Sequence, residues 1–515
     1  MPPLLVDSVR THGQRVAVVV AEGVFTYRDL AMASGRVAAR LTVDGAGLGG
    51  APVCFLAPPG WDWVATLLGV WQAGGMAVPM AVAHPPAELA RVLDDACPEV
   101  LVTHPSLEDR LKEEAGRRRV PMLRTTDVFG HPRLGPSGSG ADAGEADAAL
   151  MLYTSGTTGP PKGVVLTHGN LAAQVQALVE AWGWTRNDHV LLHLPLHHVH
   201  GIVNVLLCAL RSGAVCQILP RFDAREVWER LARGDVTLYM AVPTVYHRLI
   251  DAWEGSDAPT RRRWSERARR LRLMVSGSAA LPVPTLERWE EITGHRLLER
   301  YGMTEIGMAL SNPLEGERRP GHVGAPLPGV SVRLVDESGE PVPEGAQGLV
   351  EVRGPGVFGR YWRRPGATAE AFTSDGWFRT GDRAVVEEGS WRILGRESVD
   401  ILKTGGEKVS ALEIEDVLRG HPAVADCAVV GVPDREWGER VCAAVVPGGG
   451  RGPLDRDALR AFARERLAPW KVPKDVLVVE ELPRNAMGKV TKPRVRELFG
   501  AGAASAAPGR SGGAP

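Results

Sequence analysis

The chain has 515 residues, of which 44% are hydrophobic and 23% are charged, so it can form about two to four globular domains with ordinary cores. Its 60 basic and 61 acidic residues leave a net charge of -1, which argues against a global attraction to nucleic acid or to an anionic membrane. None of the six cysteines forms a C-x-x-C pair, and we therefore expect buried free thiols in a reducing compartment.

The N-terminal part alternates predicted strands with predicted helices. Residues 16–20 (VAVVV) and 53–58 (VCFLAP) have the composition of strands, whereas residues 27–41 and 61–73 show helical patterns. This alternation predicts an α/β protein with a mostly parallel, doubly wound sheet. The longest apolar stretch, 64–83, is interrupted by Gln, Gly and Pro, and the first residues lack the pattern of a signal peptide. We therefore expect no membrane span and a cytoplasmic location.

The first chemical motif follows a predicted surface connection and a predicted strand. The connection is the Gly-, Pro- and Ser-rich stretch 130–147, and the strand covers residues 148–153. The motif is YTSGTTGPPKG at 153–163, in which glycines let the backbone approach a polyphosphate while hydroxyls and Lys162 supply donors and charge. It is not a Walker A loop, because Gly159 is followed by two prolines. The motif predicts an anion-binding loop, with an ordinary surface loop as the alternative.

A smaller unit begins near residue 395. Residues 391–418 predict a strand, a turn, a second strand, a Gly-rich turn and a helix that starts with a capping box of Ser410 and Glu413. The further predicted elements are strands at 425–434, 440–447 and 475–483 and a helix at 455–467. This unit has about 100 residues, which is enough for a separate domain. Residues 501–515 lack periodicity and predict a disordered tail.

The loop at 153–163 resembles the phosphate loop of the adenylate-forming superfamily, which includes acyl-CoA synthetases, luciferases and adenylation domains. Five further segments resemble the other motifs of that superfamily and occur in its order. They are SGSAALP (276–282), ERYGMTE (299–305), DGWFRTGD (375–382), ILGRESVDILKTGGEKVSALEIE (393–415) and PRNAMGK (483–489). The resemblance implies a large N-terminal domain of several subdomains at 1–394, a hinge at 395–399 and a small mobile α/β C-terminal domain at 400–500.

The resemblance also implies a role for each matching residue. The implied ATP-binding residues are Thr154, Ser155, Gly156, Thr157, Thr158, Gly159, Lys162, Gly277, Ser278, Ala279, Glu299, Arg300, Tyr301, Gly302, Met303, Thr304, Asp382 and Arg396. The other implied positions are Lys489, His198 and Thr304 for catalysis, Glu305 for Mg²⁺, Ser398 for the hinge, and Lys403, Gly405 and Gly406 for coenzyme A. ATP, Mg²⁺ and coenzyme A are therefore the expected cofactor and co-substrates.

The two arginines Arg248 and Arg300 bear on the identity of the acid. The segment PTVYHR ends at Arg248, and the superfamily places this segment beside the acyl pocket, whereas Arg300 lies beside the nucleotide. A guanidinium binds a carboxylate through two parallel hydrogen bonds, and a buried arginine without an anion is unfavourable. Each arginine could instead pair with an internal acidic residue. PTVYHR, SGSAALP and ERYGMTEIGMALSNPL are together similar to malonyl-CoA synthetases, which implies substrate binding by Arg248, Arg300, His200 and Ser276.

The expected activity is ATP-dependent ligation of malonate to coenzyme A through an acyl-adenylate, with methylmalonate as a further substrate left open. The alternatives are a medium- or long-chain fatty acyl-CoA synthetase and a non-catalytic nucleotide-binding protein on the same fold. The His-rich segment 195–201 is interpreted as pocket wall rather than as a zinc site, because no Cys or carboxylate is interleaved. The expected partners are small molecules, with no nucleic acid and no carrier protein in cis.

Overall fold

The computed structural model describes residues 4–42, 46–129, 143–154, 161–404, 407–434, 437–448, 454–485 and 489–504. The strands, in chain order, are β1 Val16–Val20, β2 Gly23–Thr26, β3 Pro52–Leu56, β4 Met76–Pro79, β5 Val100–Thr103, β6 Met122–Arg124, β7 Ala148–Thr154, β8 Lys162–Thr167, β9 His189–Leu192, β10 Val215–Ile218, β11 Leu238–Ala241, β12 Leu273–Ser276, β13 Leu298–Met303, β14 Gly307–Ser311, β15 Ala325–Pro326, β16 Ser331–Val335, β17 Gly348–Arg353, β18 Arg360–Tyr361, β19 Phe378–Glu387, β20 Ser390–Arg396, β21 Ile401–Thr404, β22 Glu407–Ser410, β23 Val424–Asp434, β24 Gly438–Pro447 and β25 Asp475–Val478.

The helices, in chain order, are α1 Leu4–Thr11, α2 Tyr27–Leu41, α3 Trp61–Gln72, α4 Pro86–Ala96, α5 Lys112–Arg118, α6 Thr125–Phe129, α7 His168–Ala181, α8 Cys208–Ser212, α9 Ala224–Arg233, α10 Pro243–Glu254, α11 Ala258–Ala268, α12 Val283–Thr293, α13 Pro365–Ala371, α14 Ala411–Arg419, α15 Arg456–Arg464 and α16 Lys492–Ala504. A π-helical segment, His200–Leu207, precedes α8, and short 3₁₀ segments cover Pro105–Arg110 and Pro469–Lys471.

Two mostly parallel sheets form the large part of the molecule. One has the order β15-β14-β13-β12-β11-β9-β10-β1-β2, and its six strands from β13 to β1 are parallel. The other has the order β18-β8-β7-β4-β3-β5-β6. The sequence predicted one doubly wound sheet, and this detail is wrong because the strands divide between two sheets. Period and composition identify a buried strand but do not specify which sheet it joins.

An antiparallel sheet and a mixed sheet follow along the chain. β16, β17, β19 and β20 form a four-stranded sheet that ends at Arg396, and β21 opens a five-stranded sheet at Ile401. The five-stranded sheet carries α14 and α15 over its own apolar cluster, which includes Leu402, Ile414 and Val429. The change in sequence pattern near residue 395 therefore coincides with the passage from one sheet to another.

Several local expectations need correction. Cys97 is exposed and takes a left-handed conformation after α4, whereas the other five cysteines are buried and free. Residues 501–504 continue α16, although a disordered tail was expected from 501, and residues 505–515 lie outside the described part of the chain. The same holds for 130–142 of the expected surface connection. No helix among the described residues has the length and apolar composition needed to cross a bilayer.

Candidate active site

The carboxyl ends of several parallel strands meet at one edge of the nine-stranded sheet. In the register of this sheet, Ala241 lies beside Ser276, and Ser276 lies beside Glu299. The segments that follow β9, β11 and β12 therefore emerge side by side, which is where ligands bind in open α/β sheets. Arg300 and Tyr301 are consecutive on β13, so their side chains point to opposite faces of the strand.

The face of Tyr301 forms what we call the Asp382 network, which consists of Tyr301, Thr380, Asp382 and Arg396. The Tyr301 hydroxyl donates to Oδ2 of Asp382 at 2.6 Å, and Nε of Arg396 donates to Oδ1 at 2.9 Å. Nη2 of Arg396 also donates to the Thr380 carbonyl at 3.2 Å. Burial acts to lower the pKa of Arg396, but the charge and the hydrogen bond of Asp382, together with Tyr301 and Glu305, raise it above its usual value. The network therefore holds a carboxylate and a cation in fixed geometry.

Glu305 and Lys162 both lie close to Tyr361, in the part of the site next to the phosphate-loop motif. Glu305 is buried, burial raises its pKa, and the Tyr361 hydroxyl donates to its Oε1 at 3.1 Å. Nζ of Lys162 lies 5.0 Å from the centre of the Tyr361 ring. Among the described residues no three His, Cys, Asp or Glu side chains converge as a self-sufficient metal site. Glu305 forms no salt bridge with any residue that the structure describes, and such a buried carboxylate fits Mg²⁺, whose other ligands come from water and phosphate oxygens.

The face of Arg300 forms what we call the Arg300 pocket, which consists of His198, His200 and Arg300. The side chain of Ser276, which is paired with Glu299 in the sheet, lies on the opposite face, so the expected substrate contact of Ser276 is not part of this pocket. Ser276, His200 and Arg300 are buried, with 0%, 5% and 3% of their surface exposed. In the described part of the chain Nε2 of both histidines and Nε of Arg300 have no hydrogen-bond partner. Buried polar atoms are normally paired, so these atoms together indicate a position for a polar ligand.

Arg300 has no internal carboxylate partner among the described residues. Its Nη2 lies 3.5 Å from the Ser278 hydroxyl, while Oε1 of the adjacent Glu299 accepts from the Leu281 amide at 3.0 Å. Burial lowers the pKa of Arg300 to about 9 and raises that of Glu299 to about 8. A Cβ on Gly277 would lie 2.6 Å from Cζ of Arg300, so glycine is required for this packing.

The imidazoles around the pocket are neutral. Burial lowers the pKa of His200 well below its usual value, and the Arg300 charge acts in the same direction. Burial is also the main cause for His198, followed by His197 and Lys489. Nδ1 of His200 contacts the Ser278 hydroxyl at 3.1 Å. A neutral His200 therefore has its Nε2 available for a ligand.

His193 has a hydrogen-bond partner, whereas the Asn204 amide has none among the described residues. Nε2 of His193 lies 2.8 Å from the Tyr239 hydroxyl, in agreement with a structural role. Asn204, one turn beyond His200 on the π-helical segment, is 1% exposed, and both polar atoms of its amide have no partner within the described residues. The sequence analysis missed Asn204, although an Asn inside the apolar run HGIVNVLL is a detectable signal. It also missed Tyr361.

Arg248 differs from Arg300 in its surroundings. It lies on the exposed side of α10, whose buried side is formed by Val245, Tyr246, Leu249 and Ile250. Among the described residues it has no hydrogen bond and no salt bridge. The expectation that both arginines face a pocket closed to water is therefore wrong for Arg248 in this structure. The helix that carries it nevertheless starts at the same sheet edge, directly after β11.

Lys489 projects from the small unit toward both groups of residues. The residue is exposed, yet desolvation is the main cause that lowers its pKa, followed by the charges of Arg300 and Arg396, while Asp382 raises it. Its ammonium group is therefore within electrostatic range of the Arg300 pocket and of the Asp382 network. The Lys489 amide donates to Oδ1 of Asn485 at 3.0 Å, which closes a short loop.

The remaining expected site residues fall into three groups. Thr154, Met303 and Thr304 are half-buried at strand ends, and a Cβ on Gly302 would lie 2.0 Å from the Gly307 carbonyl oxygen. Ala279, Ser398 and Lys403 are exposed, and Ser398 lies in the turn between β20 and β21. The expected residues outside the described part of the chain are Ser155, Gly156, Thr157, Thr158, Gly159, Gly405 and Gly406.

A carboxylate network, a buried arginine and a lysine supplied by a second unit define an enzyme class that activates acids with a nucleotide. The chain belongs to the AMP-binding enzyme family: the model of the AMP-binding enzyme matches residues 5–362, and that of the AMP-binding enzyme C-terminal domain matches residues 413–489.

Named relatives support this assignment. The mitochondrial malonate–CoA ligase of Xenopus laevis is 46% identical, over 94% of this chain and 90% of its own length. ATP-bound MatB from Rhodopseudomonas palustris has a TM-score of 0.89 at 36% identity, covering 97% of this chain and 99% of that one. A malonyl-CoA ligase ternary product complex with methylmalonyl-CoA and AMP has a TM-score of 0.67 at 39% identity, with 92% and 97% covered.

Proposed function

We propose that this protein ligates malonate to coenzyme A in two steps. A malonate carboxylate attacks the α-phosphate of ATP, which gives malonyl-adenylate and releases pyrophosphate. The thiol of coenzyme A then attacks the acyl carbon, which gives malonyl-CoA and releases AMP. The observation that carries the choice of acid is Arg300, a buried guanidinium without an internal carboxylate partner in the described chain.

The second carboxylate of malonate fits the Arg300 pocket. It stays ionised through both steps and needs a cation and hydrogen-bond donors when it leaves water. Arg300 supplies the cation, and His200 has an unpartnered ring nitrogen beside it. A fatty acyl chain would leave Arg300 buried without compensation, which disfavours the fatty acyl-CoA synthetase alternative. We place Arg248 at the open side of the pocket as a second, solvent-screened contact.

The nucleotide fits the opposite face of β13. We propose that Asp382 accepts hydrogen bonds from the ribose, with Arg396 and Tyr301 holding it in place, and that Lys162 and the loop from Thr154 contact the phosphates. Glu305, next to Thr304, would hold Mg²⁺, which neutralises phosphate charge during the displacement. Lys403 and the Gly405–Gly406 turn are the proposed contacts of coenzyme A.

Lys489 is the proposed catalytic lysine of the first step. Its ammonium can contact both the attacking carboxylate and the phosphate, where negative charge accumulates. Lys403 and Lys489 lie on different parts of the small unit, which we propose rotates about the 395–399 segment, at Ser398, between the two steps. The higher TM-score with the ATP-bound relative than with the product complex supports assigning this structure to the first step.

Two finer points also remain proposals. The product complex named above contains methylmalonyl-CoA, which supports methylmalonate as a second substrate. For the compartment we retain the cytoplasm, although the curated animal relatives are named as mitochondrial proteins. Fractionation of the source cells tests the compartment.

The decisive experiment measures pyrophosphate release with a panel of mono- and dicarboxylic acids, each with and without coenzyme A. We expect malonate to give the highest kcat/KM and pyrophosphate turnover to become continuous when coenzyme A is present. A preference for octanoate over malonate would replace the proposal with a fatty acyl ligase. Absence of pyrophosphate release with every acid would favour a non-catalytic nucleotide-binding protein.

A further inference from the structure

The loop that carries Lys489 is fixed at its base on both sides. The Asn485 amide donates to the Lys489 carbonyl at 2.9 Å, and the Thr491 amide donates to the Pro483 carbonyl at 2.8 Å. On one arm Arg484 forms an ion pair with Asp426. The other arm continues directly into α16, whose first residue is Lys492. The position of the Lys489 side chain therefore depends on where α16 begins.

Lys492 is buried between two carboxylates. Only 10% of its side chain is exposed, and its Nζ lies 2.7 Å from Oδ1 of Asp400 and 2.8 Å from Oε1 of Glu415. The two carboxylates together outweigh the effect of burial and raise the pKa of the Lys492 ammonium. Glu415 is held independently by Arg419 and by the Val429 amide. Lys492 is therefore attached to a fixed point of the small unit and, through Asp400, to the end of the proposed hinge.

Asp400 continues the connection toward the nucleotide. Its Oδ2 accepts from the Arg396 amide at 3.1 Å, and its own amide donates to the Arg396 carbonyl at 2.7 Å. Gly395 has a φ of +124°, and a Cβ there would lie 2.4 Å from Cβ of Asp400, so glycine allows this close approach. Arg396 in turn holds Asp382. One continuous set of contacts thus joins Lys492 to the Asp382 network.

We propose that Lys492 is a positioning residue for Lys489. Through Asp400 it ties the Lys489 loop to the hinge and the Asp382 network in the domain orientation of the first step. The inference rests on the proposed function, because it assigns Lys492 to adenylate formation. It implies that the ion pair matters for the first step and not for the second, in which Lys489 is withdrawn.

The test compares both half-reactions in the full-length enzyme. Lys492→Met should lower malonate-dependent pyrophosphate release by roughly 10- to 100-fold, the effect of displacing a reacting group by about 1 Å. Thioester formation from supplied malonyl-adenylate and coenzyme A should stay within about twofold of the parent, since positioning for that step does not involve Lys489. Lys492→Arg, which keeps the cation, should recover most of the first activity. Arg494→Met, an exposed change on the same helix, is the matched control.

A second variant covers the case in which Lys492→Met does not fold. Asp400→Asn keeps the Lys492–Glu415 pair and removes only the charge at the hinge, so it should show the same selective loss. The inference is overturned if either folded variant forms adenylate at the parental rate, or if both half-reactions fall equally. Lys489→Ala distinguishes failure of the proposed function from failure of this inference. If Lys489→Ala also leaves adenylate formation intact, the proposed catalytic role of Lys489 is wrong. If Lys489→Ala abolishes adenylate formation but the Lys492 and Asp400 variants do not lower it, only the role of Lys492 is rejected.

Discussion

The Asp382 network and the Arg300 pocket start from neighbouring residues of β13 but differ in how their polar atoms are satisfied. On the Tyr301 side, both carboxylate oxygens of Asp382 accept hydrogen bonds, and Arg396 has its counter-charge. On the Arg300 side, His198, His200 and Arg300 have buried polar atoms without partners in the described chain. One side is complete before a ligand binds, whereas the other is completed only by a ligand.

This difference separates general from specific recognition. A network whose hydrogen bonds are already formed needs little rearrangement when the nucleotide binds. It also presents the same geometry to the nucleotide whichever acid is present. A buried cation without a partner favours an anion strongly and rejects an apolar group, because the unpaired charge then stays desolvated. We therefore expect ATP affinity to depend on the Asp382 network and acid selectivity on the Arg300 pocket.

The largest effect should come from Lys489→Ala, which removes the cation within range of both regions. We expect adenylate formation to fall by about 1,000-fold, as when a group that stabilises transition-state charge is deleted. Thioester formation from supplied malonyl-adenylate should persist. Single-turnover assays of each half-reaction measure this separately, and near-parental adenylation would contradict the assigned role.

Arg300→Met should follow, with a loss of roughly 30- to 1,000-fold in kcat/KM for malonate, the cost of removing one partner of a buried charge pair. The methionine fills the space with an apolar side chain, so activity with butyrate should rise relative to malonate. Steady-state kinetics with both acids test this. Equal losses for malonate and butyrate would mean that Arg300 supports the nucleotide rather than the acid.

Asp382→Asn should act on the other region. We expect the KM for ATP to rise by roughly 10- to 100-fold, since a hydrogen bond to a charged group contributes about 1.5–3 kcal/mol. The ratio of malonate to butyrate activity should not change, because the Arg300 pocket is intact. A change in acid preference would show that the two regions are coupled through β13.

Arg248→Met should have the smallest effect. The side chain is exposed, so water and salt screen its attraction to malonate, and we expect less than about a tenfold rise in the KM for malonate. The effect should shrink further in high salt, unlike that of Arg300→Met. A loss as large as that of Arg300→Met would mean that Arg248 becomes enclosed when the acid binds.

The sequence by itself determined the family, the order of the motifs and most local elements. α2 has the predicted bounds 27–41, and β23 and β24 lie within two residues of the predicted strands, because period and capping act over a few residues. The predicted strand 475–483 is wrong beyond Val478, and β22 was not predicted. Asp382 and Arg396 were also identified from motifs, and their pairing follows from the short β19–β20 hairpin.

Only the tertiary structure decided which polar atoms are buried without partners. In the sequence, Arg248 and Arg300 are both arginines at the edge of a motif and cannot be distinguished. In the structure, Arg248 lies on the exposed side of α10, whereas Arg300 on β13 packs against Gly277. The Lys492–Asp400 pair was hidden as well, since it joins residues far apart in the chain. Burial and pairing depend on what packs against a side chain, and that information is carried by the whole fold rather than by a local pattern.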